Sequence, residues 1–236
     1  MHDYQRRFAD FLVDSGAFRL GSFTLKSGRT SPTFVNLGLV EDGTGLRRLG
    51  EAFAGRLLDA GGADGFDSVV GPAYKGVPLA VATAIALADA GHPKPYLFDR
   101  KERKTHGEEA SGRSGAAALL VGHRPADGER IALVDDVLTD GATKREAVEL
   151  LRTLVPGVSF PALVIAVNRQ ETAKDGGDAA ADFTRSTGIP VVAALTMTGL
   201  LDHLGETGRL GGEDRARCVA YLADHGTAEA KAWAAK

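Results

Sequence analysis

Ile131-Ala-Leu-Val-Asp-Asp-Val-Leu-Thr-Asp-Gly-Ala-Thr143 carries more information than any other stretch of the chain. Four apolar residues, Ile131 to Val134, read as a short buried strand that ends in two adjacent carboxylates, Asp135 and Asp136. A turn of small residues follows, and Thr143–Leu154 has the pattern of a helix. Backbone N–H groups at a helix start, uncovered by large side chains, are well placed to hold a phosphate. The two carboxylates suit the vicinal hydroxyls of a sugar. An acidic pair by itself more often just ends a strand, with Asp140 capping the next helix. The apolar run before the pair and Thr-x-Gly-x-Thr after it favour a ribose-phosphate cradle.

Outward from this stretch, strands and helices alternate. Asp67–Val70 reads as a strand running into Gly71-Pro-Ala-Tyr-Lys-Gly76, and Val77–Ala90 as an apolar helix. Pro95–Phe98 is a second strand, followed by a loop dense in charge and glycine from Asp99 to about Gly115. Val158–Val167 is a strand, Ala179–Thr187 a helix and Ile189–Leu195 the last strand. Such alternation predicts an α/β fold, a mainly parallel sheet covered by helices on both faces. Before it, Tyr4, Phe8, Phe11 and Leu12 recur at helical spacing, and Phe18 to Val40 reads as short strands and turns. Thr44 to Ala60 reads as a helix closed by Gly61 and Gly62, and Glu213 to Lys236 as a surface helix with a frayed end. The expected organisation is an N-terminal helix and hood strands at 1–40, an α/β core at 41–205 and a C-terminal helical extension at 206–236. In such sheets ligands bind beyond the carboxyl ends of the strands. Gly71–Gly76, Arg100–Glu109 and Asp135–Thr143 all lie at such ends, so they are expected to face one crevice.

Composition excludes several classes. The 236 residues, 44% hydrophobic, suffice for one large domain, and a net charge of -3 gives no reason to expect nucleic acid as partner. The one cysteine, Cys218, cannot form an internal disulfide and fits a reducing compartment. The charged first turns argue against a signal peptide, and the apolar run Val77–Ala88 is too short to span a bilayer. A cytoplasmic protein without membrane contact is expected. The six histidines show no zinc spacing, and the chain lacks a Walker lysine loop and a G-x-G-x-x-G turn.

The 131–143 stretch resembles the PRPP-binding signature of the type I phosphoribosyltransferases, PRPP being phosphoribosyl pyrophosphate. The resemblance implies that fold, with a small hood formed largely by the N-terminal region. It also implies that Asp135 and Asp136 contact the ribose hydroxyls. Thr139, Asp140, Gly141, Ala142 and Thr143 then wrap the 5-phosphate, with Val137 and Leu138 also among the PRPP-binding residues. Asp140 departs from the pattern, because that position more often holds a small neutral residue.

Four further segments resemble the orotate-using members of the family. In Phe23-Thr-Leu-Lys-Ser-Gly-Arg-Thr-Ser-Pro-Thr-Phe-Val-Asn36 the matching lysine is Lys26, and Phe34 and Val35 stand where an aromatic pair lines the base pocket. Val35 leaves only backbone contacts at its position. Gly71–Gly76 matches the pyrophosphate loop, with Tyr74 and Lys75 facing the diphosphate, and implies a strained or cis peptide between Ala73 and Tyr74. Asp99-Arg-Lys-Glu-Arg-Lys-Thr-His-Gly-Glu108 matches a mobile catalytic lid, at about 99–115, in which Arg100, Lys101, Lys104 and His106 serve the site. Most charge runs are solvated surface; this one adjoins glycines and lacks helical periodicity, as a closing lid requires. Val167-Asn-Arg-Gln-Glu171 places Arg169 to hold the orotate ring, together with Lys26, Phe34, Val35 and Thr139. A guanidinium fork suits the oxygens of a planar acidic pyrimidine.

The implied reaction displaces pyrophosphate from the anomeric carbon of PRPP by orotate, giving orotidine 5'-monophosphate in pyrimidine biosynthesis. Lys75, Lys104, Asp136 and His106 are the expected catalytic residues. Mg²⁺ is the expected cofactor, held mainly through PRPP and water, with no dedicated protein ligand cluster. The resemblance also implies a homodimer with active sites shared across the interface. Two rival readings are a purine phosphoribosyltransferase and a regulatory protein that senses PRPP and binds nucleic acid. The first should lack the Lys26 and Arg169 contexts, and the second has little need of a pyrophosphate-stabilising lid.

Overall fold

A computed structural model describes residues 1–25, 27–102, 118–138, 141–173 and 176–236. In chain order the elements are α1 (Asp3–Asp14), β1 (Phe18–Thr24), β2 (Thr30–Val35), α2 (Gly43–Gly61), β3 (Ser68–Val70), α3 (Gly76–Asp89), β4 (Tyr96–Asp99) and β5 (Leu120–Gly122). They continue with β6 (Ile131–Asp135), α4 (Ala142–Leu154), β7 (Leu163–Asn168), α5 (Ala179–Thr187) and β8 (Val191–Thr196). Helices α6 (Met197–Glu206), α7 (Gly212–His225) and α8 (Ala228–Ala234) close the chain.

Among the described residues the main sheet has the order β5-β4-β3-β6-β7-β8, with every neighbouring pair parallel except β4 and β5. Strand β6 shows why it must be covered on both faces. Its side chains alternate between two cores: Ile131 and Leu133 pack with Val148, Leu151 and Phe183 of α4 and α5. Ala132 and Val134 pack with Phe8, Phe53 and Leu79 of α1, α2 and α3. A strand buried on both sides reads as a continuous apolar run because both faces need apolar side chains. β1 and β2 form a separate antiparallel pair, the expected hood.

Four details differ from the sequence reading. Strand β7 begins at Leu163 instead of Val158, since Pro161 has no N–H to give a ladder. β5 is an antiparallel edge strand of three residues, too short to show alternation. α6 follows β8 directly, capped by the Thr196 hydroxyl on the Gly199 N–H. The C-terminal segment is not a frayed surface helix. It folds into α7 and α8, and Cys218, Tyr221, Leu222 and Ala230 are buried in the larger core. Burial pushes the Cys218 thiol up to about 11.

Candidate active site

The parallel order β4-β3-β6-β7 sets four strand ends side by side, and each delivers polar residues to the same edge. β3 runs into the Gly71–Gly76 loop. A Cβ on Gly71 would lie 2.0 Å from the Gly76 carbonyl oxygen, so the loop closes this tightly only with glycine at that position. The Ala73–Tyr74 peptide is cis, where the sequence led one to look for it. Asp99, buried at the end of β4, accepts from the Ala73 N–H at 2.8 Å and so fixes this loop to the neighbouring strand. Tyr74 is 74% exposed.

β6 ends in the acidic pair, and its two members differ. Asp136 Oδ2 lies 2.7 Å from Lys75 Nζ, an ion pair joining the 71–76 loop to the 135–143 turn. That carboxylate raises the Lys75 ammonium above its ordinary pKa. Asp135 is turned inward: one oxygen accepts from the Asp136 N–H at 2.8 Å, and the other lies 2.5 Å from Lys144 Nζ. Burial pushes the Asp135 carboxyl above its usual range while Lys144 pulls it back. Val137 and Leu138 follow half-buried, with the Val137 N–H donating to Asp136. Gly141 precedes α4 at φ 71 and carries no side chain to cap it, while Ala142 is exposed and Thr143 half-buried in the first turn.

β7 ends in Asn168 and Arg169. Asn168, Arg169, Gln170 and Glu171 line a small cavity with Val137 and Leu138, so the ends of β6 and β7 share it. Burial raises the Glu171 carboxyl, opposed first by Arg169, whose Nη2 lies 3.7 Å away. Beyond β4, Arg100 and Lys101 line an open pocket with Ala73, Tyr74 and Val77. The Lys101 ammonium lies 3.0 Å from Glu146 and 4.0 Å from Asp99.

Lys75, Asp135, Asp136, Arg169, Tyr74, Arg100 and Lys101 therefore gather along one edge of the sheet. In the hood, Phe34 is 38% exposed and stacks on Phe23 with ring centroids 5.3 Å apart. Val35 points the other way and packs against the core. Lys26, Lys104, His106, Thr139 and Asp140, with most of the expected lid, lie outside the described residues. Among the described residues, no group of three or more His, Cys, Asp or Glu side chains is arranged to hold a metal ion. Among the described residues, no helix is long and apolar enough to cross a membrane.

An acidic pair, a lysine loop and an arginine brought to one edge can hold a phosphorylated sugar beside a planar anion. A family model described as phosphoribosyl transferase domain matches residues 40–184. The orotate phosphoribosyltransferase of Halorhodospira halophila (strain DSM 244 / SL1) is 44% identical over 227 residues, covering 96% of this chain and 91% of that protein. The chain belongs to the orotate phosphoribosyltransferase family. The orotate phosphoribosyltransferase of Methylococcus capsulatus (strain Bath) is 42% identical over 229 residues, covering 97% of this chain and 100% of that protein. The crystal structure of the orotate phosphoribosyltransferase of Francisella tularensis superimposes with a TM-score of 0.77 at 30% identity, over 93% of this chain and 99% of that one.

Three residues of this family member escaped sequence reading. Lys144 was given no role from the sequence, yet it shares the buried stripe of α4 with Ala147, Val148 and Leu151. Its place at i of an i, i+3, i+4, i+7 apolar set was the available signal. Asp99 and Glu171 gave none, because each acts on a neighbour that only the fold brings close.

Proposed function

We propose that the chain transfers the phosphoribosyl group of PRPP to orotate, giving orotidine 5'-monophosphate and pyrophosphate, with the residues gathered at this sheet edge as its machinery. The observation that supports the assignment of roles is the 2.7 Å pair between Lys75 and Asp136, a cation suited to a diphosphate beside a carboxylate suited to ribose hydroxyls. Asp136 accepts from the ribose hydroxyls. Asp135, held under Lys144, supports it with fixed charge. The backbone from Val137 to Thr143 surrounds the 5-phosphate, with Thr139 and Asp140 at its centre. Arg169 holds the orotate oxygens, with Lys26, Phe34 and Thr139 on the same ligand and Val35 contributing backbone alone.

Bond breaking at the anomeric carbon leaves positive charge on the sugar and negative charge on the departing diphosphate. Lys75, Lys101, Arg100 and Lys104 stabilise that diphosphate, and His106 and Tyr74 complete its surroundings. Both strand-end carboxylates already face lysines, so a hard cation would find its oxygen donors on PRPP and water, with the partly open Asp136 the protein carboxylate available to it. Mg²⁺ held in that way would supply neutralisation of diphosphate charge.

The working assembly is a homodimer in which Arg100, Lys104 and His106 of each lid serve the partner's site. An apolar groove between α2 and α3 supports this reading: Ile85 is 57% exposed there, and Leu46, Pro78 and Val81 line the groove with it. The enzyme works in the cytoplasm, a compartment suited to a chain with a single buried thiol.

The test is orotate consumption followed by absorbance with PRPP and Mg²⁺, with uracil and adenine as control bases. Orotate alone should be consumed. Turnover of adenine in its place would transfer the chain to the purine-using branch.

A further inference from the structure

The loop after β7 is held more tightly than a surface loop needs. Gln170 sits at φ 55 and is 1% exposed, with its N–H donating to Asn168 Oδ1 at 2.8 Å. Its side-chain oxygen accepts from the Thr198 N–H at the start of α6, at 2.9 Å. Its backbone oxygen accepts from the Thr227 N–H at the junction of α7 and α8, at 2.8 Å. The Thr172 N–H and hydroxyl both donate to the His225 carbonyl, at 2.9 and 3.0 Å. From the hood, the Arg29 guanidinium donates to the carbonyls of Thr172 at 2.5 Å and Ala173 at 3.0 Å. Three distant parts of the chain thus fix residues 170–173.

What this fixation places is Glu171. Its side chain is 9% exposed, and Arg169 Nη2 lies 3.7 Å from its carboxylate while the Arg169 side chain stays 36% exposed. Arg29, His225 and Tyr221 surround it from the hood and α7. The Tyr221 hydroxyl is buried and faces Glu171 and Ser31 without reaching full hydrogen-bond geometry to any described residue. A buried carboxylate 3.7 Å from a part-exposed guanidinium restrains it by charge. Without it the guanidinium would sample many rotamers and would have to be ordered whenever ligand binds.

We propose that Glu171 is the positioning residue for Arg169, and that the C-terminal helices α7 and α8 serve the reaction by holding Glu171 in place. The inference rests on the reading that Arg169 holds the base. It gives the C-terminal segment a function in base affinity: the pair α7–α8 is the back wall that keeps the arginine aimed.

The experiment is a double-mutant cycle of Glu171→Gln and Arg169→Ala, with KM for orotate, KM for PRPP and kcat measured in the full-length protein. Glu171→Gln keeps shape and removes charge. It should raise KM for orotate roughly tenfold, the scale of one freed rotamer-rich side chain, and leave KM for PRPP within about twofold. In the Arg169→Ala background the same change should add nothing to KM for orotate. Tyr221→Phe, which deletes one hydroxyl and leaves the ring packed, should raise KM for orotate in the same direction by roughly threefold. Orotate KM within about twofold of wild type in Glu171→Gln overturns the proposal, as does an equal shift with and without Arg169, and the same result in Tyr221→Phe overturns the part given to α7 and α8. A wild-type protein that does not consume orotate ends the functional reading and this inference with it. An active wild type with an indifferent Glu171→Gln ends this inference alone.

Discussion

Replacing Lys144 by Met should destabilise the protein by an amount that grows with pH. Lys144 Nζ lies 2.5 Å from Asp135 Oδ2, with the two side chains 9% and 6% exposed. Removing one partner of a buried pair typically costs roughly 3–5 kcal/mol, because the other charge is left without compensation. Asp135, already pushed up by burial, escapes that penalty by keeping its proton. The folded carboxyl then lies well above its unfolded value, so the folded state holds a proton that the unfolded state releases. Relative to wild type the deficit therefore opens above the wild-type folded pKa of Asp135, itself raised by burial, and deepens by about 1.4 kcal/mol per pH unit until the variant's still higher pKa is reached. A gap of about three pH units between those two folded values would bring the loss to about 4 kcal/mol, within the range for breaking the pair outright. Asp135→Asn should show the mirror image. An unpaired buried lysine is penalised while it carries its charge, so the deficit is deepest at low pH and shrinks as pH rises toward the lysine range. Urea denaturation of wild type, both single variants and the double variant from about pH 4.5 to 8 reads all of this. The single variants should have opposite pH slopes, and the double should recover most of the loss. A Lys144→Met deficit below about 1 kcal/mol, or one flat in pH, would refute the reasoning, since an exposed pair behaves that way.

Lys104→Ala should lower turnover by roughly two orders of magnitude or more while affecting PRPP affinity less, the pattern of a charge acting on the leaving group; near wild-type kcat would remove Lys104 from the mechanism. Asp136→Asn should raise KM for PRPP by roughly 10- to 100-fold, the scale of losing hydrogen bonds to a charged acceptor, as measured by initial rates at saturating orotate. Mixing a lid-dead Lys104→Ala chain with an Asp135→Asn/Asp136→Asn chain should restore activity through hybrid dimers with one intact site. A mixture as inactive as its components would argue against active sites shared between subunits.

How much of this was legible in the sequence depended on whether a residue's partners were local. Ile131–Val134 announced a strand because burial on both faces forces every side chain to be apolar. Gly71 and Gly76 announced a tight loop because their backbones approach each other across six residues. The paired cores behind β6 were equally readable from strand–helix alternation. Lys144 was not, because a lysine on a helix is ordinarily solvated and its counter-charge, Asp135, is supplied by the preceding strand. The C-terminal helices were misread for a related reason. Their charges suggest a solvated surface, whereas Cys218, Tyr221 and Leu222, at i, i+3 and i+4, form the narrow face that reaches the core.

The ion pairs at this sheet edge divide by exposure, and the division matches what each must do. Lys75 is 73% exposed in its pair with Asp136, and such pairs contribute about 0–1 kcal/mol in water. Under the proposed function, a diphosphate at Lys75 and a ribose hydroxyl at Asp136 would therefore replace that pair at little loss. Lys144 and Asp135 are sealed, so no ligand competes for them, and Asp135 keeps its orientation whether or not substrate is bound. The Arg169–Glu171 pair joins the two cases, with a buried carboxylate beside a part-exposed guanidinium that a ligand could reach. An exchangeable charge next to a fixed one orders the site before substrate arrives and still leaves its cations available, which is the condition for electrostatic preorganisation of a leaving diphosphate.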